Sequence, residues 1–105
     1  MSDVIIVLIT APSKETADTI GKTLVEQRLA ACVNILPNIS SVFHWEGKID
    51  WAEEFLLVAK TKKATFKELE AKVLDSHPYD TPEIIAISVS DGTKAYLDWV
   101  LKETK

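Results

Sequence analysis

Val4-Ile5-Ile6-Val7-Leu8-Ile9 is an unbroken aliphatic run, mostly β-branched. β-branched side chains are stiff and suit the pleated strand, and a strand with no polar alternation needs cover on both faces. The run is too short for a signal peptide or a membrane span, and no basic residues precede it. The chain is therefore expected to build a sheet around this strand.

Ala11-Pro12 ends the strand. Ser13 is a good N-cap for a helix with Glu15 in its first turn. Ala17, Ile20, Gly21, Leu24 and Arg28 fall at i, i+3, i+4, i+7 and i+11, one helical stripe. Gly21 costs such a helix about 1 kcal/mol relative to Ala, which close packing on a sheet would explain. Residues 31–36 begin a second strand, Pro37-Asn38 interrupt it, and residues 39–45 resume it. Glu46-Gly47 signals a turn, and residues 48–61 lead back, giving a long β-hairpin with an irregular tip. Phe66, Leu69 and Val73 predict a second helix over about 64–76. The loop His77-Pro78-Tyr79-Asp80-Thr81-Pro82-Glu83 is stiffened by two prolines, which bias His77 and Thr81 toward extended backbone. Residues 84–89 form the last strand, and Asp91-Gly92 turns into a third helix carrying Tyr96, Leu97, Trp99, Val100 and Leu101.

The order βαββαβ plus a terminal helix predicts an α+β, ferredoxin-like split βαβ sheet with helices on one face. Its strand order is 4-1-3-2 with antiparallel neighbours. At 105 residues the chain is expected to be one domain, 1–105. That topology puts Cys32 at the bottom of one sheet edge and the His77 loop at the top of the other. Within one subunit the two are expected to lie too far apart to share a metal. The fold itself decides no function.

Hydrophobic residues at 47% and charged residues at 27% fit an ordered globular chain. A net charge of -4 argues against nucleic-acid binding. Cys32 is the only cysteine, so no intrachain disulfide forms, and a cytoplasmic setting without membrane attachment is expected. With only Gly21, Gly47 and Gly92, the chain has no glycine-rich phosphate loop, and no CxxC or HExxH motif occurs. A thiolate with an imidazole makes a soft site for copper, so Cys32 and His77 are the candidate metal ligands. The plainer reading of Cys32 is a small buried hydrophobe. His77 reads equally as a residue that structures its loop. His44 should point away from its neighbours Phe43 and Trp45 on a strand. A Cys–His nucleophile lacks an orienting group and an oxyanion hole, so no enzymatic activity is expected.

The hairpin arms, from Cys32 to Thr61, are longer than this sheet needs. An isolated two-stranded ribbon is marginal in water, and this one carries Phe43, Trp45 and Trp51 near its tip. Such an arm is expected to pair with another chain, with those three aromatics at the contact. An exposed hairpin is the alternative.

Arg28-Leu29-Ala30-Ala31-Cys32-Val33-Asn34 resembles the first signature of the CutA family, the divalent-cation tolerance proteins. Ser41-Val42-Phe43-His44-Trp45-Glu46-Gly47-Lys48-Ile49 resembles the second, with Phe43 where the family usually has tyrosine. Glu54 through Lys60-Thr61 fits the third, His77 through Ile84 the fourth, and Tyr96-Leu97-Asp98-Trp99 closes the pattern. The resemblance implies a very stable homotrimer, similar to the PII signalling trimers. It also implies a link to copper and other divalent metals, bound weakly, and no enzymatic activity. Threefold symmetry then predicts three equivalent clefts, each between the His77–Glu83 loop of one chain and hairpin residues of its neighbour. Arg28, Lys60, Tyr79 and Glu83 are the candidates for the polar lining, around a metal or a small ligand. A stable scaffold with incidental metal affinity is the alternative.

Overall fold

The computed structural model describes residues 3–105; Met1 and Ser2, where the expected domain begins, lie outside the described residues. The aliphatic run forms β1 (Val4–Ala11), an inner strand between β3 (Lys48–Lys62) and β4 (Ile84–Ser88). β2 (Cys32–Trp45) lies beyond β3, so the order is β2-β3-β1-β4 with antiparallel neighbours throughout. This is the expected ferredoxin-like α+β sheet.

α1 (Lys14–Glu26) starts as its sequence dictates, with Ser13 Oγ accepting from the Thr16 N–H at 3.1 Å. Its buried stripe is Ala17, Ile20, Gly21 and Leu24. Arg28 does not continue that stripe. It sits in the left-handed region at φ 58, where the helix stops. The Arg28 N–H donates to Val25 O at 3.1 Å and the Leu29 N–H to Leu24 O at 2.8 Å, and Leu24 and Leu29 are both buried. These bonds make a Schellman stop, with arginine where glycine is usual.

Pro37-Asn38 does not divide β2. The strand runs through with a register shift between Leu36 and Ile39, and Asn38 takes φ 60. A bulge absorbs the residues that cannot ladder and keeps the strand in pairing. At the tip, Glu46 (φ 50) and Gly47 (φ 76) form a two-residue turn that pairs Trp45 with Lys48. Positive φ at both turn positions matches the twist of the arms.

Strand alternation then sorts every side chain. Ile5, Val7, Ile9 and Ala11, with Leu57 and Ala59, face α1 and α2 (Phe66–Ser76) and are almost fully buried with Leu69 and Val73. Ile6, Leu8, Leu56 and Val58 point the other way and are only half-buried, while Ile85 and Ile87 are each 51% exposed. The cover expected on both sides of β1 is thus complete on one side within the chain.

One placement differs from the expected helices on a single face. α3 (Lys94–Glu103) carries Tyr96, whose hydroxyl meets Cys32. By alternation Cys32 shares the face of Lys60, opposite to Val33, and Val33 lies under α1. So α3 closes the lower end of the second face, where Val4 is buried as well. The covered core around α1 and α2 was already complete, so the last helix found its apolar partner across the sheet.

Candidate functional site

The upper end of that second face holds a cavity of about 350 Å³ along the hairpin, from Glu54 at its root toward Trp45 beside its turn. The turn register builds half of it. Phe43 pairs with Asp50, so Phe43, Trp45, Asp50 and Glu54 share one face of the ribbon. All four line the cavity, with Thr10 of β1 below them. Val42, His44, Ile49 and Trp51 point to the opposite face by the same alternation. Trp51 is therefore not beside Trp45 or Phe43, although the three are close in sequence.

The proline-stiffened loop builds the other half, with Tyr79, Thr81 and Glu83. His77 fixes this loop to the sheet. Its Nδ1 accepts from the Tyr79 N–H at 3.1 Å, so the proton lies on Nε2, which donates to Thr10 O at 2.7 Å. The His77 and Tyr79 rings lie 4.8 Å apart. Tyr79 Oη then donates to Glu54 Oε2 at 2.8 Å. Burial, followed by the hydrogen bond and negative charge of Glu54, pushes the Tyr79 phenol up to about 12. A protonated phenol held on a carboxylate closes the chain of contacts from β1 through the loop to β3.

The remaining sequence candidates lie elsewhere. Cys32 is half-buried, with Lys60 Nζ 3.9 Å from its Sγ and Tyr96 beside it. Cys32 pairs with Lys60, Lys60 with Ile6, and His77 is anchored four residues further along β1 at Thr10. That is ~13 Å along the sheet and ~10 Å across it, so within one chain the two share no ion. Both ring nitrogens of His77 are engaged, and metal binding through either would first break one of those bonds. Arg28 lies at the bottom, with Nη1 3.0 Å from Glu103 Oε2. Of the four residues expected to line one cleft, a single chain brings together Tyr79 and Glu83. Among the described residues, no group of three or more His, Cys, Asp or Glu is placed to hold a metal ion.

Sequence reasoning missed Asp50 and Glu54 as cavity residues. The signal was present: the Glu46-Gly47 turn fixes the pairing, and counting outward puts Asp50 opposite Phe43.

The profile of the family described as "CutA1 divalent ion tolerance protein" matches residues 5–103. The chain is 48% identical over 99 residues to the divalent-cation tolerance protein CutA of Thermus thermophilus, covering 94% of this chain and 96% of that protein. It is 50% identical over 94 residues to CutA of Archaeoglobus fulgidus, covering 90% and 91%. The solved T. thermophilus structure superposes with a TM-score of 0.95 at 46% identity, covering 97% of this chain and 99% of the other. The A. fulgidus structure, described as a periplasmic divalent cation tolerance protein, superposes at 0.94 and 46% identity, with the same coverage. No described helix is long and apolar enough to cross a membrane. A profile matched almost from end to end, with relatives covered over nearly their whole length, means that the chain belongs to the CutA1 divalent ion tolerance protein family.

Proposed function

We propose that this protein is a cytoplasmic, single-domain homotrimer of divalent-cation tolerance, built like the PII trimers. In this reading it is not an enzyme. It binds copper or another divalent cation weakly, or a small ligand, at clefts between subunits. The observation that carries the reading is the uncovered apolar sheet face, with Ile85 and Ile87 each 51% exposed and Leu36 43% exposed beside half-buried Ile6, Leu8, Leu56 and Val58. A continuous apolar face of this kind marks an association surface. Closed threefold packing of three such faces covers them without leaving an open edge. The hairpin arms, with Trp45 and Trp51 more than half exposed and Phe43 38% exposed on their two faces, then reach onto neighbouring chains.

In this assembly Cys32 of one chain and His77 of another are the metal candidates, with Arg28, Lys60, Tyr79 and Glu83 as polar lining. A scaffold reading is favoured by one observation, the commitment of both His77 ring nitrogens to Thr10 and Tyr79. Two measurements test these readings. Sedimentation equilibrium at micromolar concentration is expected to give a trimer, and a predominant monomer would overturn the assembly. Calorimetric copper titration is expected to weaken in Cys32→Ser and in His77→Ala; unchanged affinity in both removes the metal site and leaves the scaffold.

A further inference from the structure

We propose that the cavity along the hairpin binds an aliphatic diamine or polyamine, with its methylenes on aromatic walls and its ammonium groups on carboxylates. This deepens the small-ligand reading above and rests on it in taking the 77–83 loop as a ligand wall.

The first argument is charge. The cavity lining includes Asp50, Glu54 and Glu83 and contains no Lys, Arg or His. Among the described residues none of these three carboxylates is in an ion pair. Asp50 Oδ1 accepts from the Trp51 N–H at 2.8 Å, a neutral donor. Glu54 is only 7% exposed, and its Oε2 takes the Tyr79 proton. Its Oε1 has no hydrogen-bond partner among the described residues and is not sealed from solvent, so it opens into the cavity. An accessible carboxylate oxygen in a cavity with largely apolar walls attracts a cation, whose N–H groups supply the donors that Oε1 lacks within the chain.

The second argument is shape. Asp50 and Glu54 lie four residues apart on the hairpin wall and Glu83 stands on the loop wall, and the three do not gather as a metal-ligand group. A point cation would satisfy one wall and leave the rest of about 350 Å³ unfilled. That volume is at the lower end of small-molecule pockets. A ligand with separated ammonium groups matches separated carboxylates. The third argument is the wall material. Phe43, Trp45 and Tyr79 line the same cavity, and aromatic faces both bury methylenes and attract cations. Carboxylate acceptors further require N–H donors, which favours primary and secondary amines over quaternary ones.

The test is calorimetry on the full chain with 1,4-diaminobutane and spermidine, against tetramethylammonium and Mg²⁺ at matched ionic strength. Saturable binding of one amine per chain is expected, tighter for spermidine. Glu54→Gln, which keeps the shape, is expected to weaken it about tenfold. Trp45→Ala is expected to weaken it about fivefold in samples whose sedimentation matches that of the natural chain. Cys32→Ser is expected to leave it unchanged. The absence of saturable heat, equal binding in Glu54→Gln and Trp45→Ala, or displacement by Mg²⁺ as effective as by spermidine would each overturn the proposal. Sedimentation and copper titration on the same sample separate it from the broader reading. A trimer that binds copper and ignores both amines overturns this inference alone, as it would if a neighbour's lysine filled the cavity. A monomer that binds spermidine supports the inference and overturns the assembly.

Discussion

The two faces of this sheet are made of the same strands and similar side chains, yet the chain finishes only one of them. On the first, Val7, Ile9, Leu57 and Ala59 are at 0% exposure beneath α1 and α2. On the second, one residue over along each strand, Ile85 and Ile87 stand half-exposed, and only the lower end is closed by α3. The first face is a core, whose value is independent of concentration. The second is an apolar face that this chain leaves open, with a cavity at its upper end, and in the proposed trimer other copies cover it.

The largest expected effect breaks the second face. Ile87→Asp places an unpaired carboxylate in what the proposed trimer buries, a change of the kind that costs about 3–5 kcal/mol. Sedimentation at micromolar concentration should then show folded monomers; a variant that stays trimeric would show that this face is not the contact. The counterpart on the first face is Leu57→Ala. It leaves a void in a closed core and should lower stability by about 2–5 kcal/mol. Denaturant titration checks the loss, and the native assembly should be unchanged. If Leu57→Ala dissociated the protein while Ile87→Asp did not, the roles of the faces would be reversed.

Much of this contrast was legible in the sequence, and the reasons differ by residue. The run 4–9 asked for cover on both sides, and its own alternation shows which half the chain supplies. Gly21 and Leu24 announced the helix-covered face, because a periodicity of 3.6 is read locally. Arg28 was misread as part of that stripe, because spacing alone does not report that a Schellman stop has put a residue at φ 58. Pro37-Asn38 was read as an interruption, since a proline says where laddering fails and not whether a bulge repairs it. The third helix's choice of face depended on which apolar surface was still uncovered, a property of the whole fold. The cavity was half legible: the 77–83 loop stood out by composition, while Glu54 joins it across 25 positions through one hydrogen bond. Register from the Glu46-Gly47 turn would also have separated Trp51 from Trp45.

Tyr79 sharpens the comparison at the upper end of the second face. Tyr79→Phe removes the donor to Glu54 Oε2 and should cost about 1.5–3 kcal/mol at neutral pH, the range for a hydrogen bond to a charged group. The pH dependence has a definite sign. The phenol is raised from 10.0 to about 12 in the folded chain, by burial first and then by Glu54. Its contribution is therefore complete below pH 10 and is lost as pH rises through about 12. Stability of the natural chain and of Tyr79→Phe should differ by a constant amount below pH 10 and converge above it. A difference that grew with pH in that range would mean that the phenolate, not the phenol, is the form held by the fold.

The smallest effect probes how tightly the finished face is finished. A methyl group built on Gly21 meets Ile35 Cδ1 at 3.4 Å and Val33 Cγ1 at 3.5 Å, both ordinary contact distances. The close approach of α1 to the sheet therefore leaves room for alanine, although glycine is used. Alanine in a helix interior is worth about 1 kcal/mol over glycine, through the backbone freedom the unfolded chain no longer has to lose. Gly21→Ala should accordingly raise stability by about 0.5–1 kcal/mol, with the oligomeric state unchanged, since the site lies on the covered face. Chemical denaturation at fixed protein concentration resolves a change of that size. A comparable loss of stability would mean that Ile35 and Val33 cannot yield even a few tenths of an ångström, and that the covered face is packed to its limit.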